Sequence, residues 1–172
     1  MKTKSQKIEK LTIANYQKLA MKTCLPTAKN WEYCYTLIVS ELGEAYGKWG
    51  KKFRDGEFDK DKLTDELGDV FWGIALACQL SGESFEKHWQ NVIKNGLKVN
   101  DAIMVATILP SGFSNIKITP KIEKDKILAI IAFSIQFAKE CGIRPFDCLK
   151  KNIAKLADRQ KRGVLKGNGD NR

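Results

Sequence analysis

The sequence predicts an all-α fold, and two observations predict it. Apolar residues recur at steps of three and four along most of the 172 residues, the spacing of one face of an α-helix. Between those stretches stand Pro26, Ser81-Gly82, Asn95-Gly96 and Gly142, residues that end helices or begin turns.

The elements follow in chain order. Ile13, Tyr16, Ala20 and Cys24 carry a first helix over residues 8–24, which Pro26 ends. Asn30 is a suitable N-cap for a second helix, with Ile38, Leu42, Ala45 and Trp49 on one face and with Gly50, Gly56 and the charges around them forming the turn. A third helix begins near Asp59 or Asp61, sets Leu63, Leu67, Val70, Ile74 and Ala77 on one stripe, and stops at Ser81-Gly82. A fourth runs from about Ser84 to Asn95-Gly96. Residues 97–122 hold β-branched side chains and a Pro-Ser-Gly turn signal without a sustained period, and read as an inserted loop with at most a short helix or hairpin. Helical period returns from Glu123 to Cys141, stops at Gly142, and resumes from Pro145, a suitable first-turn residue, to about Asp158. Residues 123–158 thus form a second helical hairpin, and the basic tail 159–172 closes a chain that reads as a single domain. Aligning Phe85 with Phe146 pairs Asn91 with Asn152 and Lys94 with Lys155, each 61 residues apart. The match suggests a duplicated hairpin, although two amphipathic helices with the same turn also look alike.

Composition narrows the partners. Thirty Lys and Arg against twenty Asp and Glu give a net charge of +10, which points to an anionic partner: nucleic acid, a nucleotide or a phosphorylated substrate. The charges are unevenly placed, with acids concentrated in 41–69 and the stretch 150–172 strongly basic. No apolar run approaches the roughly 18 to 20 residues that span a bilayer, and the lysine-rich start MKTKSQKIEK has no hydrophobic region behind it like that of a signal peptide. A cytoplasmic protein without a membrane partner is expected. The five cysteines are odd in number, form no CxxC pair, and include Cys34 and Cys78 within apolar helical patterns. Reduced, buried thiols fit this better than disulfides or a zinc site.

The acidic stretch contains ELGE at 41–44 and ELGD at 66–69. Residues three apart are neighbours on a helix surface, so Glu41 with Glu44, and Glu66 with Asp69, each form a paired-carboxylate edge. Both pairs border the apolar stripe, Glu41 between Ile38 and Ala45 and Glu66 between Leu63 and Val70. Acids placed there face a neighbouring helix. Several carboxylates in one partly dry space repel one another unless cations neutralise them, and hard divalent ions with oxygen ligands do so well. Gly43 and Gly68 lie within helices, where glycine costs roughly 1 kcal/mol relative to alanine, so each is expected to permit close backbone approach and bring the four acids together. A single ExxE is better explained by exposed acids pairing with Lys48, Lys51, Lys52 or Lys62 on a solvated face. Two matched motifs on consecutive helices favour a metal site.

In this order Glu41, Glu44, Glu66 and Asp69 resemble the signature of the MazG-like, all-α nucleoside triphosphate pyrophosphohydrolases, ExxE on one helix and ExxD on the next. NYQKLAMKT (15–23) is similar to the family's opening helix, ELGDVFWGIALACQLSGESFEKHW (66–89) to its third and fourth helices, and NIAKLADRQKRGVLKGNGDNR (152–172) to the closing segment of many small members. The chain departs from small relatives by placing 97–145 between the fourth helix and the tail. Its second hairpin has Ile127 and Ile130 where the first has Glu66 and Asp69, so it cannot form a second metal site of that kind. Such a copy could replace packing that relatives obtain from another subunit.

The resemblance implies a MazG-like helical bundle that hydrolyses a nucleoside triphosphate between its α and β phosphates, giving a monophosphate and pyrophosphate. It implies Mg2+, with Mn2+ able to substitute, and a homo-oligomer, most simply a dimer. Glu41, Glu44, Glu66 and Asp69 become the ligands, with Glu41 or Glu44 acting instead as the base through water. The triphosphate also needs cations from the protein, and Asn152, Lys155, Arg159 and Arg162 recur at helical spacing, Arg being suited to bidentate phosphate contact. Lys48 and Arg54, near the acids in sequence, are further substrate-binding residues, while the basic face at 152–162 reads equally as solvated or as a nucleic-acid contact. Trp31, Trp49, Trp72 and Trp89 suit the core or base stacking, and His88 reads as structural or exposed. The alternatives are a non-catalytic helical module that binds nucleic acid through its tail, and an all-α dUTPase-like enzyme sharing the metal logic.

Overall fold

The computed structural model describes residues 10–96, 122 and 124–165. Among them are six α-helices, α1 (Ile13–Met21), α2 (Trp31–Asp55), α3 (Lys60–Ser81), α4 (Phe85–Asn95), α5 (Lys124–Glu140) and α6 (Pro145–Lys161), one 3-10 turn at Pro26–Ala28, and no strand. The all-α expectation holds. The start of the first helix before residue 10, the inserted loop 97–122 except Ile122, and the GNGD part of the tail lie outside the described residues.

Side chains and glycines set the helix ends. The Asn30 carboxamide accepts from Tyr33 N at 2.8 Å, and the Asp59 carboxylate accepts from Asp61 N and Lys62 N at 3.0 Å, each satisfying donors that the first turn leaves open. Gly56 and Gly82 end α2 and α3 with φ of 83° and 70°, a conformation that costs glycine little. Some expected boundaries move. Helix α1 starts later, at the Thr12–Asn15 capping box, and stops at Met21. Gly50 is not in a turn but inside α2. There Trp49 meets Phe53 edge-on at 4.8 Å and Phe137 of α5 at 5.5 Å, so continuing the helix gains aromatic contact that outweighs glycine's low propensity. Helix α6 persists past Asp158 to Lys161.

Helix α3 lies in the middle of the packing, touching α1, α2, α5 and α6. Every residue from Val70 to Cys78 is buried, as expected of a helix covered on all sides. Its glycines are where neighbours come closest. A Cβ on Gly68 would lie 2.8 Å from the Cys148 carbonyl oxygen and 3.0 Å from Asn152 Cβ, and one on Gly73 would lie 2.7 Å from Ile38 Cγ1. Helix α6 therefore crosses α3 at Gly68, and α2 packs on it at Gly73. Gly43 corrects an expectation: nothing lies within 4 Å of its would-be Cβ, because it faces away from α3. All five cysteines are buried and unpaired, and no helix among the described residues is long and apolar enough to cross a membrane.

Candidate functional site

Three of the four motif acids converge. Glu41 on α2 and Glu66 and Asp69 on α3 each offer a carboxylate oxygen within 4.8 Å of the others, because i and i+3 on α3 project side by side and α2 packs alongside. All three are half-buried, whereas Glu44, one turn further along α2, is exposed and outside the trio. Crowding shows in the electrostatics. Burial, then Asp69, Glu44 and Glu66, push the Glu41 carboxyl up to about 8, against the pull of Lys155. Burial raises Glu66 as well, with Glu44 and Asp69 adding to it and Lys48 opposing. Both Glu41 and Glu66 thus feel the rim charge of Glu44.

Donors from α6 face these acids. Asn152 Nδ2 donates to Asp69 Oδ1 at 2.6 Å, and the Lys155 ammonium donates to Asp69 Oδ2 at 2.5 Å. Lys48, one turn after Glu44, sits 3.3 Å from Glu66. The ion-pair reading thus holds for one motif acid, Glu66 with Lys48, and elsewhere in the acidic stretch Lys62 pairs with Asp59, and Lys151 with Asp61 and Asp65.

Beside the acids is a cleft of about 120 Å³ whose wall includes Glu41, Asp69 and Arg159 together with Leu25, Tyr33, Leu37, Trp72 and Leu156. Of the four tryptophans only Trp72 lines it, its ring fixed by Nε1 donating to Ala20 O and Thr23 Oγ1 at 3.2 Å. Trp89 is buried against Phe71 and Phe85. His88 is structural: it is buried beside Glu83 at 3.4 Å, and burial holds its pKa below the ordinary value.

Two expected substrate contacts are not brought to the acids. Arg54 is exposed and bonds Asp55 at 2.7 Å; thirteen positions beyond Glu41, it lies about 20 Å further along the helix. Arg162 stands past the end of α6, exposed and bonded to Asp158 at 2.7 Å. Sequence reasoning missed Tyr33 and Leu37, although both precede Glu41 at successive steps of four on α2, the spacing of one helical face. Leu156, between Lys155 and Arg159, was missed in the same way.

Three carboxylates within reach of one point offer hard oxygen donors of the kind Mg2+ and Mn2+ prefer, so the residues fit such a cation. No family model, curated protein or solved structure matches the chain.

Proposed function

We propose that the chain is a Mg2+-dependent nucleoside triphosphate pyrophosphohydrolase that converts a ribo- or deoxyribonucleoside triphosphate to the monophosphate and pyrophosphate. The supporting observation is the convergence of Glu41, Glu66 and Asp69, of which Glu41 and Asp69 lie in the wall of a cleft lined mainly by apolar and aromatic side chains together with Arg159. These three acids would hold the cation, which when bound offsets phosphate charge and lowers the pKa of a coordinated water. The apolar wall of Leu37, Trp72 and Leu156 takes the base and excludes water, while Arg159 in the same wall and Lys155 beside Asp69 turn positive charge toward the phosphates. Glu44, exposed on the rim next to Glu41, accepts the proton of the attacking water. The water oxygen bonds to the α-phosphorus, the bond from that phosphorus to the α–β bridging oxygen breaks, and pyrophosphate leaves with the electron pair. Two acid groups and separate cations divide the work because acids alone would repel a triphosphate.

The test is pyrophosphate release from a panel of ribo- and deoxyribonucleoside triphosphates, dUTP included, with Mg2+, with Mn2+ and with chelator. Release from at least one substrate, lost in chelator, is expected. No release from any of them, with steeply salt-dependent binding to DNA or RNA instead, would replace this reading with a nucleic-acid-binding module.

A further inference from the structure

On α1 and α6, which touch each other and α3, two fully buried residues each carry a polar atom with no hydrogen-bond partner among the described residues: the Tyr16 hydroxyl and Asn152 Oδ1. Such an atom costs about 1 to 3 kcal/mol if left alone. Their chemistry is complementary, since the phenol can donate and the carboxamide oxygen only accepts. The other end of the Asn152 carboxamide is committed, with Nδ2 donating to Asp69 Oδ1 at 2.6 Å.

Neither atom is free to turn away. The Tyr16 ring packs on Phe85 with centroids 4.8 Å apart. Its neighbours on α1 are anchored: Gln17 Oε1 accepts from Phe85 N at 2.9 Å, and Ala20 O accepts from Trp72 Nε1 at 3.2 Å. Asn152 is held where α6 crosses Gly68. Helices α1 and α6 touch, and the residues they bury are Tyr16 and Ala20 on α1 and Cys148, Leu149 and Asn152 on α6.

We infer that Tyr16 is a positioning residue for the acid site: a buried water, accepting from its hydroxyl and donating to Asn152 Oδ1, locks the carboxamide in the orientation that donates to Asp69. A carboxamide turned over would present its oxygen to the Asp69 carboxylate and be repelled. The water keeps that oxygen on the far side, and Asp69 stays aimed at Glu41 and Glu66. A buried water with two or more polar partners is a normal part of a folded interior. The role rests on reading the acids as a cation site.

The test combines Mn2+ affinity by calorimetry with the side-chain amide resonance of Asn152 in the metal-free protein, for the unaltered chain, Tyr16→Phe, Asn152→Ala and the double variant. Tyr16→Phe is expected to weaken Mn2+ binding about tenfold and to shift the Asn152 amide resonance. In the Asn152→Ala background the same change should cost less than about twofold. An equal loss in both backgrounds overturns the role. Mn2+ binding with an unmoved Asn152 resonance in Tyr16→Phe overturns it alone, whereas an unaltered chain that binds no Mn2+ overturns the cation-site reading with it. If Tyr16→Phe does not fold, a crystal structure of the unaltered chain decides: a water bonded to both atoms supports the role, and a dry gap refutes it.

Discussion

The hairpin α3–α4 and the hairpin α5–α6 align residue for residue, yet their matched positions do opposite things. On α3, Glu66 and Asp69 are half-buried acids; at the matched positions of α5, Ile127 and Ile130 are buried core. At the start of α4, Phe85 is buried, while Phe146 at the start of α6 is 36 % exposed. Asn91 is exposed and bonds Asn95 within α4, whereas Asn152 is buried on Asp69. Lys94 is exposed, whereas Lys155 reaches Asp69 at 2.5 Å. One hairpin thus collects negative charge and the other delivers donors to it. The lesson is that an i-to-i+61 sequence match carried no guarantee of matched environment, because which face of a helix is buried depends on what crosses it.

This contrast can be broken most severely at Asp69, where the two hairpins touch. Asp69→Asn should lower pyrophosphate release by more than about a hundredfold with the helical signal in circular dichroism intact; activity within threefold of the parent would detach the acids from the chemistry. The crossing itself is next. Gly68→Ala pushes a methyl onto the Cys148 carbonyl, 2.8 Å away, and should cost about 1 to 3 kcal/mol in urea unfolding, while Gly43→Ala, with open space around it, should gain about 0.5 to 1 kcal/mol. Equal effects would mean that α6 does not cross there.

Smaller effects sharpen the division of charge. Lys155→Ala should reduce kcat/KM about tenfold, and the exposed Lys150→Ala should change it less than twofold. Equal losses at a fixed salt concentration would reduce the contribution of α6 to diffuse positive charge. The smallest effect is on pH dependence. The Glu41 carboxyl stands near 8 in the folded chain against 4.5 as its ordinary value. Between those values the metal-free folded state holds more protons than the unfolded state, so stability falls as pH rises through that window. The loss should be about 1 kcal/mol after allowance for solvent screening, and Glu41→Gln should remove it. Melting temperatures in chelator from pH 4.5 to 8 check this; stability rising across the window, in the parent but not the variant, would contradict a crowded acid site.

Much of the fold was legible because buried faces impose a period that local sequence carries: the stripe Leu63, Leu67, Val70, Ile74 and Ala77 is wholly buried as expected. Boundaries failed where a distant contact decided. Gly50 looks like a turn until Phe137, from α5, meets Trp49 edge-on. Gly43 and Gly68 occupy the same place in the same motif, and only the arrival of α6 on one of them distinguishes the two. Likewise Glu41 and Glu44 are neighbours on one helix surface, and the rotation of α2 against α3 turns one into the trio and leaves the other on the rim. Arg54 was misplaced because closeness in sequence was taken for closeness in space along a helix of 25 residues.

The most direct measurement of the proposed reaction follows the oxygen. Unaltered protein, Mg2+ and a substrate identified in the panel are incubated in water enriched in the heavy oxygen isotope, and the products are read by phosphorus NMR. Attack at the α-phosphorus predicts the label in the nucleoside monophosphate, none in pyrophosphate, and no reaction in chelator. Label in pyrophosphate or in orthophosphate, or turnover that chelator leaves untouched, would contradict it.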